Sequence, residues 1–134
     1  MFKLTMILIF FYPFSVSAQT PNVFNYVLEG KVEPHKGLEE RYRRFSETYT
    51  NNNAEALANA YATDASYLQS DGKLIRGREE IRKVYIDFVN MAKEQGTTRY
   101  ISFRIVERKV FKGVSYDVGY FKVKFSKIIS RLSR

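Results

Sequence analysis

Cysteine and tryptophan are absent from this chain of 134 residues, and histidine occurs once, as His35. Without cysteine there is no disulfide staple, no thiol nucleophile and no thiolate metal site. A Ser/His/Asp triad or a multi-histidine centre would have to draw on the lone imidazole, so neither a metal site nor a resident cofactor is expected. Long apolar runs are also missing. The longest, Leu4 to Phe14, spans about 11 residues against the ~20 that a membrane span needs, so no stable membrane anchor is expected. Acidic residues are scarce towards the C-terminus. Residues 99–134 hold ten basic side chains against Glu107 and Asp117 alone, which accounts for the whole net charge of +8. Such an excess can attract nucleic acid or an anionic surface. No zinc-finger, helix-turn-helix or RNP pattern accompanies it, so the expectation is a solvated face and no nucleic-acid binding.

What the chain does have is aromatic mass, 16% of its residues and all of it Tyr or Phe. That is ample material for one ordinary core in a domain of about 100 residues. Lys3, the apolar run behind it and the small residues Val16-Ser17-Ala18 read as a signal peptide over 1–18. Cleavage between Ala18 and Gln19 would leave a secreted or periplasmic protein. Residues 19–36 contain two prolines and Gly30 without a clean period, and read as a lead-in that packs on the domain or stays mobile. Residues 127–134 form a basic tail.

Between these ends the pattern is regular. Leu38, Tyr42, Phe45 and Tyr49 recur at helical spacing, and Asn51-Asn52-Asn53 ends that helix and caps a short second one carrying Leu57, Ala58 and Tyr61. Ala65 to Gln69 reads as a strand, Ser70-Asp71-Gly72 as a turn, and Lys73-Leu74-Ile75 as the returning strand. Gly77 opens a third helix whose stripe is Ile81, Val84, Tyr85, Phe88 and Ala92. Two long strands follow, joined at Lys112-Gly113. In the second, the apolar parity passes from Val114, Tyr116, Val118 and Tyr120 to Phe121, Val123 and Phe125, which predicts a bulge or sharp bend at Gly119. The expected core is Tyr42, Phe45, Leu57, Tyr61, Ile81, Tyr85, Phe88, Ile101, Phe103 and Ile105.

The run Tyr61-Ala62-Thr63-Asp64-Ala65, followed by a loop and then Gly77-Arg78-Glu79-Glu80-Ile81, resembles the signature of SnoaL-like domains of the NTF2-like superfamily. The resemblance covers residues 37–126. It implies an α+β fold, a cone of three helices packed on a curved antiparallel sheet around a small-molecule pocket. It also implies two further strands after residue 126, so a cone lacking its last strands is expected. The superfamily hosts isomerases, cyclases, hydrolases and assembly modules, and a homodimer through the sheet is one expectation it carries.

Carrying over the ketosteroid-isomerase roles yields little. The resemblance puts the general base on Gln69, which cannot accept a proton near neutrality, and the hydroxyl donor on Phe45, which has none. Asp117 is the one acid left in the second long strand. Pointing inward among Phe121 and Val123 it would be a candidate base; pointing outward it would pair with a basic residue across the sheet, which is the expected arrangement. Asp64 is expected to cap the helix-to-strand corner, and Asp71 to act in its turn. The resemblance places Phe45, Tyr49, Tyr67, Gln69, Tyr85 and Phe88 on elements that line the pocket. Large rings with a few hydroxyls suit a small apolar or aromatic ligand, though such stripes equally serve as plain core.

Overall fold

The computed structural model describes residues 25–128 and the backbone of Lys3–Leu4. The expected signal peptide's apolar run beyond Leu4, its expected cleavage point and the last six residues of the basic tail lie outside the described residues.

Helix α1 (Lys36–Thr50) starts on an unusual cap: His35 Nδ1 accepts from the Leu38 amide at 3.3 Å. Leu38, Tyr42, Ser46 and Tyr49 form its buried stripe. The chain then reverses through Asn52, whose φ of 52° places it in the left-handed region that asparagine tolerates. Asn53 caps helix α2 (Ala54–Asn59) by accepting from the Ala56 amide at 3.0 Å, as the sequence predicts. Leu57 and Ala58 are buried where α2 packs against α3 (Arg78–Glu94). Helix α3 buries Ile81, Tyr85, Val89 and Ala92.

Between α2 and α3 lies a small hairpin, β3 (Ser66–Leu68) with β4 (Leu74–Arg76), paired antiparallel. Its turn is closed by Asp71 Oδ1, which accepts from the Lys73 amide at 2.9 Å, and by Gly72 at φ +84°. The period-two alternation sends Tyr67 and Ile75 inward and leaves Leu68 and Leu74 exposed. The Gly77…Ile81 spacing also has a physical basis. Gly77 takes φ +84° and its carbonyl accepts from the Ile81 amide at 3.1 Å, the first turn of α3. Backbone bonds from Gly77 N to Ala65 O (2.7 Å) and Arg78 N to Thr63 O (3.1 Å) hold the corner, and Arg78 Nε donates to Tyr61 O at 2.7 Å. Asp64 is exposed and makes no hydrogen bond there with the described residues, so the expected capping role falls to these groups instead.

The long strands are β5 (Thr97–Phe111) and β6 (Val114–Lys127), an antiparallel hairpin turning at Lys112-Gly113. Strand β2 (Tyr26–Leu28) runs parallel to β5, with Tyr26 opposite Phe103, and β1 (Lys3–Leu4) runs parallel to the start of β6. Sheet order is β1-β6-β5-β2, with β3-β4 separate. The three helices, the short hairpin and a predominantly antiparallel sheet make the expected α+β architecture. Part of the 19–36 lead-in is therefore a sheet strand, and β6 runs one residue into the expected tail.

The irregularity near Gly119 is on the facing strand. Ile105 pairs with Gly119 and Glu107 with Val118, so Val106 of β5 is the extra residue. Strand β6 itself keeps one parity, with Ser115, Asp117, Gly119, Phe121 and Val123 on the inner face. What changes along it is polarity, not direction. Gly119 is still required, because a Cβ there would lie 2.2 Å from the Arg104 carbonyl oxygen.

Of the ten expected core residues, Phe45, Tyr61 and Phe88 are partly buried and pack against the core, while the other seven are buried. No helix among the described residues is long and apolar enough to cross a membrane.

Candidate functional site

Helices α1 and α3, the short hairpin and the inner face of the long one bring a continuous set of rings together. Tyr49 and Phe88 meet at 5.4 Å between centroids, Phe88 and Tyr85 at 6.4 Å, and Tyr85 and Tyr67 at 6.4 Å. Tyr61 bridges Tyr85 (5.9 Å), Tyr67 (6.1 Å) and Phe45 (6.5 Å). Edge-on, tilted and offset-stacked contacts such as these (Tyr67 and Tyr85 are stacked) are the favourable ones for rings with a negative face and a positive rim. The cluster thus contains five of the six sequence-expected ligand residues, Phe45, Tyr49, Tyr67, Tyr85 and Phe88. The sixth, Gln69, flanks the hairpin turn, where its amide donates to Lys73 O at 2.9 Å and its carbonyl accepts from Gly72.

The wall is only partly sealed. Tyr49 and Tyr85 are buried, whereas Phe45, Tyr61, Tyr67 and Phe88 keep part of their surface in water. Across from them the inner face of β6 opens progressively, from half-buried Phe121 and Val123 to Phe125 at 63% exposure. Burial holds the phenols neutral well above the ordinary tyrosine range. For Tyr85 this rise is reinforced by Tyr61, whose own rise is offset in part by the hydroxyl contact between the two at 2.8 Å. Desolvation also raises Tyr67, and raises Tyr49 against the opposing charge of Arg99.

Arg99 sits at the floor of this wall, directly opposite Phe125 in register, and is 2% exposed. Its guanidinium carbon lies 3.3 Å from the Phe88 ring centroid and 5.8 Å from that of Tyr49, and Nη2 donates to the Phe88 carbonyl. Sequence reasoning counts Arg99 among the basic excess of a solvated face. The overlooked signal is parity, since residue 99 continues the inward series Ile101, Phe103, Ile105.

Asp117 lies at the other end of the hairpin. The expected cross-strand partner is there, Arg108, but the pair is on the buried face and not the outer one. Both side chains are at most 2% exposed. Arg108 Nε donates to Oδ1 at 2.8 Å and Nη2 to Oδ2 at 2.7 Å, a two-pronged clasp, and Tyr42 donates its hydroxyl to Oδ2 at 3.0 Å. Nη2 also donates to the Tyr26 hydroxyl. Burial works against the Arg108 charge, but its bonds to Asp117 and Tyr26 outweigh it and push the pKa above the usual arginine range. Burial, then the Asp117 charge, pushes Tyr42 far above the ordinary phenol. The Val106 bulge produces this arrangement: it shifts β5 by one residue, so Arg108 instead of Glu107 faces inward opposite Asp117.

The remaining basic excess is mostly at the surface, where Arg104 pairs with Glu29 and Lys109 with Glu107. A separate shallow groove of about 490 Å³, lined by Asn51, Asn53, Ile86, Asn90 and Lys93 among others, contains none of the wall rings and none of Arg99, Arg108 and Asp117. Among the described residues no three His, Asp or Glu side chains gather as a metal ion would require.

A search of curated protein sequences returned no match to the chain. A family model does match, that of the SnoaL-like domain, over residues 38–130. That span covers more than half of the chain and takes in the aromatic wall, both buried arginines and Asp117, so this protein belongs to the SnoaL-like domain family of the NTF2-like superfamily.

Proposed function

We propose that this chain, exported and cleaved after Ala18, works as a binding domain that holds a small, flat, mainly apolar ligand against its aromatic wall. The supporting observation is the half-open state of that wall. Rings that served only as core would be more fully sealed, yet Phe45, Tyr61, Tyr67 and Phe88 pack on the core and keep part of their surface in water. Binding is favoured over isomerase, cyclase or hydrolase chemistry because Asp117 has both oxygens engaged by Arg108 and Tyr42. To take up a proton it would first have to break a buried ion pair.

The test uses phenyl-naphthylamine, a neutral apolar dye that fluoresces on leaving water, titrated onto the full mature chain. Saturable enhancement is expected, weakened by Tyr67→Ala, which removes a wall ring from an exposed hairpin. Absence of enhancement would refute the reading. N-terminal sequencing of exported protein should begin at Gln19.

A second reading, a homodimer, has its own observation. Val106, Phe111, Val114, Val118 and Tyr120 of the long hairpin are 36 to 57% exposed, an apolar patch on the side away from the wall. Sedimentation of the wild type against Val118→Lys would separate a dimer from a monomer.

A further inference from the structure

Among the described residues, the wall's Arg99 guanidinium is left with a buried Nε that no acceptor meets. A buried cation ordinarily has an anion beside it, because leaving water costs several kcal/mol that only pairing recovers. Arg108 has Asp117. Arg99 has no Asp or Glu partner among the described residues: its one hydrogen bond goes to the Phe88 carbonyl, and its Nε is buried without an acceptor. The Phe88 ring at 3.3 Å covers the flat face of the guanidinium, so an anion reaching this buried group would meet its in-plane edge. That edge presents N–H donors in a fixed fork, which matches the two oxygens of a carboxylate.

Resting on the binding function proposed above, we propose that the ligand is a flat aromatic compound bearing a single carboxylate, and that Arg99 receives the anion. The wall takes the ring system and the arginine takes the acid. A phosphate monoester fits less well, since it brings nearly two charges to a site whose other lining groups are Tyr, Phe and Val. The approach runs along β6, where exposure rises towards Phe125, the residue facing Arg99 across the hairpin.

Three probes of one shape make the test: naphthoate, its neutral isostere naphthamide, and naphthyl phosphate, each titrated calorimetrically onto the full mature chain. Naphthoate should bind about tenfold or more tightly than naphthamide, the worth of one buried charge-assisted hydrogen bond. Arg99→Met, which keeps the length and apolar stem, should abolish that preference, so that acid and amide bind alike within about twofold. A melting curve for Arg99→Met establishes that the variant is folded, and Arg99→Lys should recover only part of the preference, because ammonium lacks the fork. Equal binding of acid and amide to the wild type would overturn the carboxylate assignment and leave the aromatic binding function standing. Tighter binding of the phosphate would overturn the choice of anion. Failure of all three probes would overturn both readings together.

Discussion

Two buried arginines, nine positions apart on β5, are treated in opposite ways by the same fold. Arg108 is clasped by Asp117, with Tyr42 and Tyr26 completing the hydrogen bonds. Arg99 is left against Phe88 and Tyr49 with no counter-ion among the described residues. Between them runs an unbroken series of rings, Phe88, Tyr49, Phe45, Phe103, Tyr42 and Tyr26. The difference teaches how the two ends divide the work. The closed end has every charge matched internally and serves structure. The open end holds a charge that no Asp or Glu among the described residues matches, beside half-exposed rings, and on that contrast the proposed binding rests.

The comparison breaks most visibly at the closed end. Asp117→Ala strands the Arg108 guanidinium in the interior, and chemical denaturation should register a loss of about 3–5 kcal/mol. The double replacement Arg108→Met with Asp117→Leu should cost far less than that, because it removes both charges. If the single and double variants were equally damaged, the pair would not be the source of the loss. Next in size is Gly119→Ala between the two ends. The added methyl meets the Arg104 carbonyl oxygen at 2.2 Å, and opening β5 from β6 to make room should cost about 1–3 kcal/mol in the same assay. The open end should respond with the opposite sign. Arg99→Met removes an unmatched buried charge, so the unliganded protein should gain about 1–2 kcal/mol. A loss of that size would mean that the stack on Phe88 outweighs the desolvation of the charge.

Much of the architecture is legible in the residues because local rules agree with the tertiary ones. Asn53 caps where an asparagine should, Gly72 and Gly77 take the positive φ that their turns demand, and the stripes of α1 and α3 face the core. Strand β2 is not legible. Three residues, Tyr26–Leu28, are too few for an alternation to stand out, and what recruits them is parallel pairing with the edge of β5. The polar cluster is hidden for a subtler reason. An inward Asp117 makes the apolar parity of β6 look broken at Gly119, when the strand is regular and one residue of β5 is in excess. Most of the wall can be named in advance, since its rings sit on periodic elements. Arg99 is harder to name, since its basic neighbours mask it, although its parity with Ile101, Phe103 and Ile105 already points it inward.

The smallest effect is also the most direct comparison of the two ends, and it appears in alkali. Tyr42 and Tyr49 are both buried on α1, and burial raises both pKa values above the ordinary 10.0. At the closed end the Asp117 carboxylate adds to that rise; at the open end the Arg99 cation opposes it. A phenol whose pKa is raised in the folded state stabilises the fold fully below pH ~10. Above that the unfolded chain has lost its proton and the folded one has not, so stability falls as pH rises, by up to about 1.4 kcal/mol per pH unit for each such tyrosine. Replacing either residue with Phe should flatten that fall. The flattening should persist to higher pH for Tyr42→Phe than for Tyr49→Phe, because the Tyr49 phenol ionises sooner in the folded protein. Denaturant midpoints carried from pH 9 upward until each folded phenol ionises, read beside tyrosinate absorbance, would resolve the order, and coincident ionisation of the two phenols would show that Arg99 exerts no field on Tyr49.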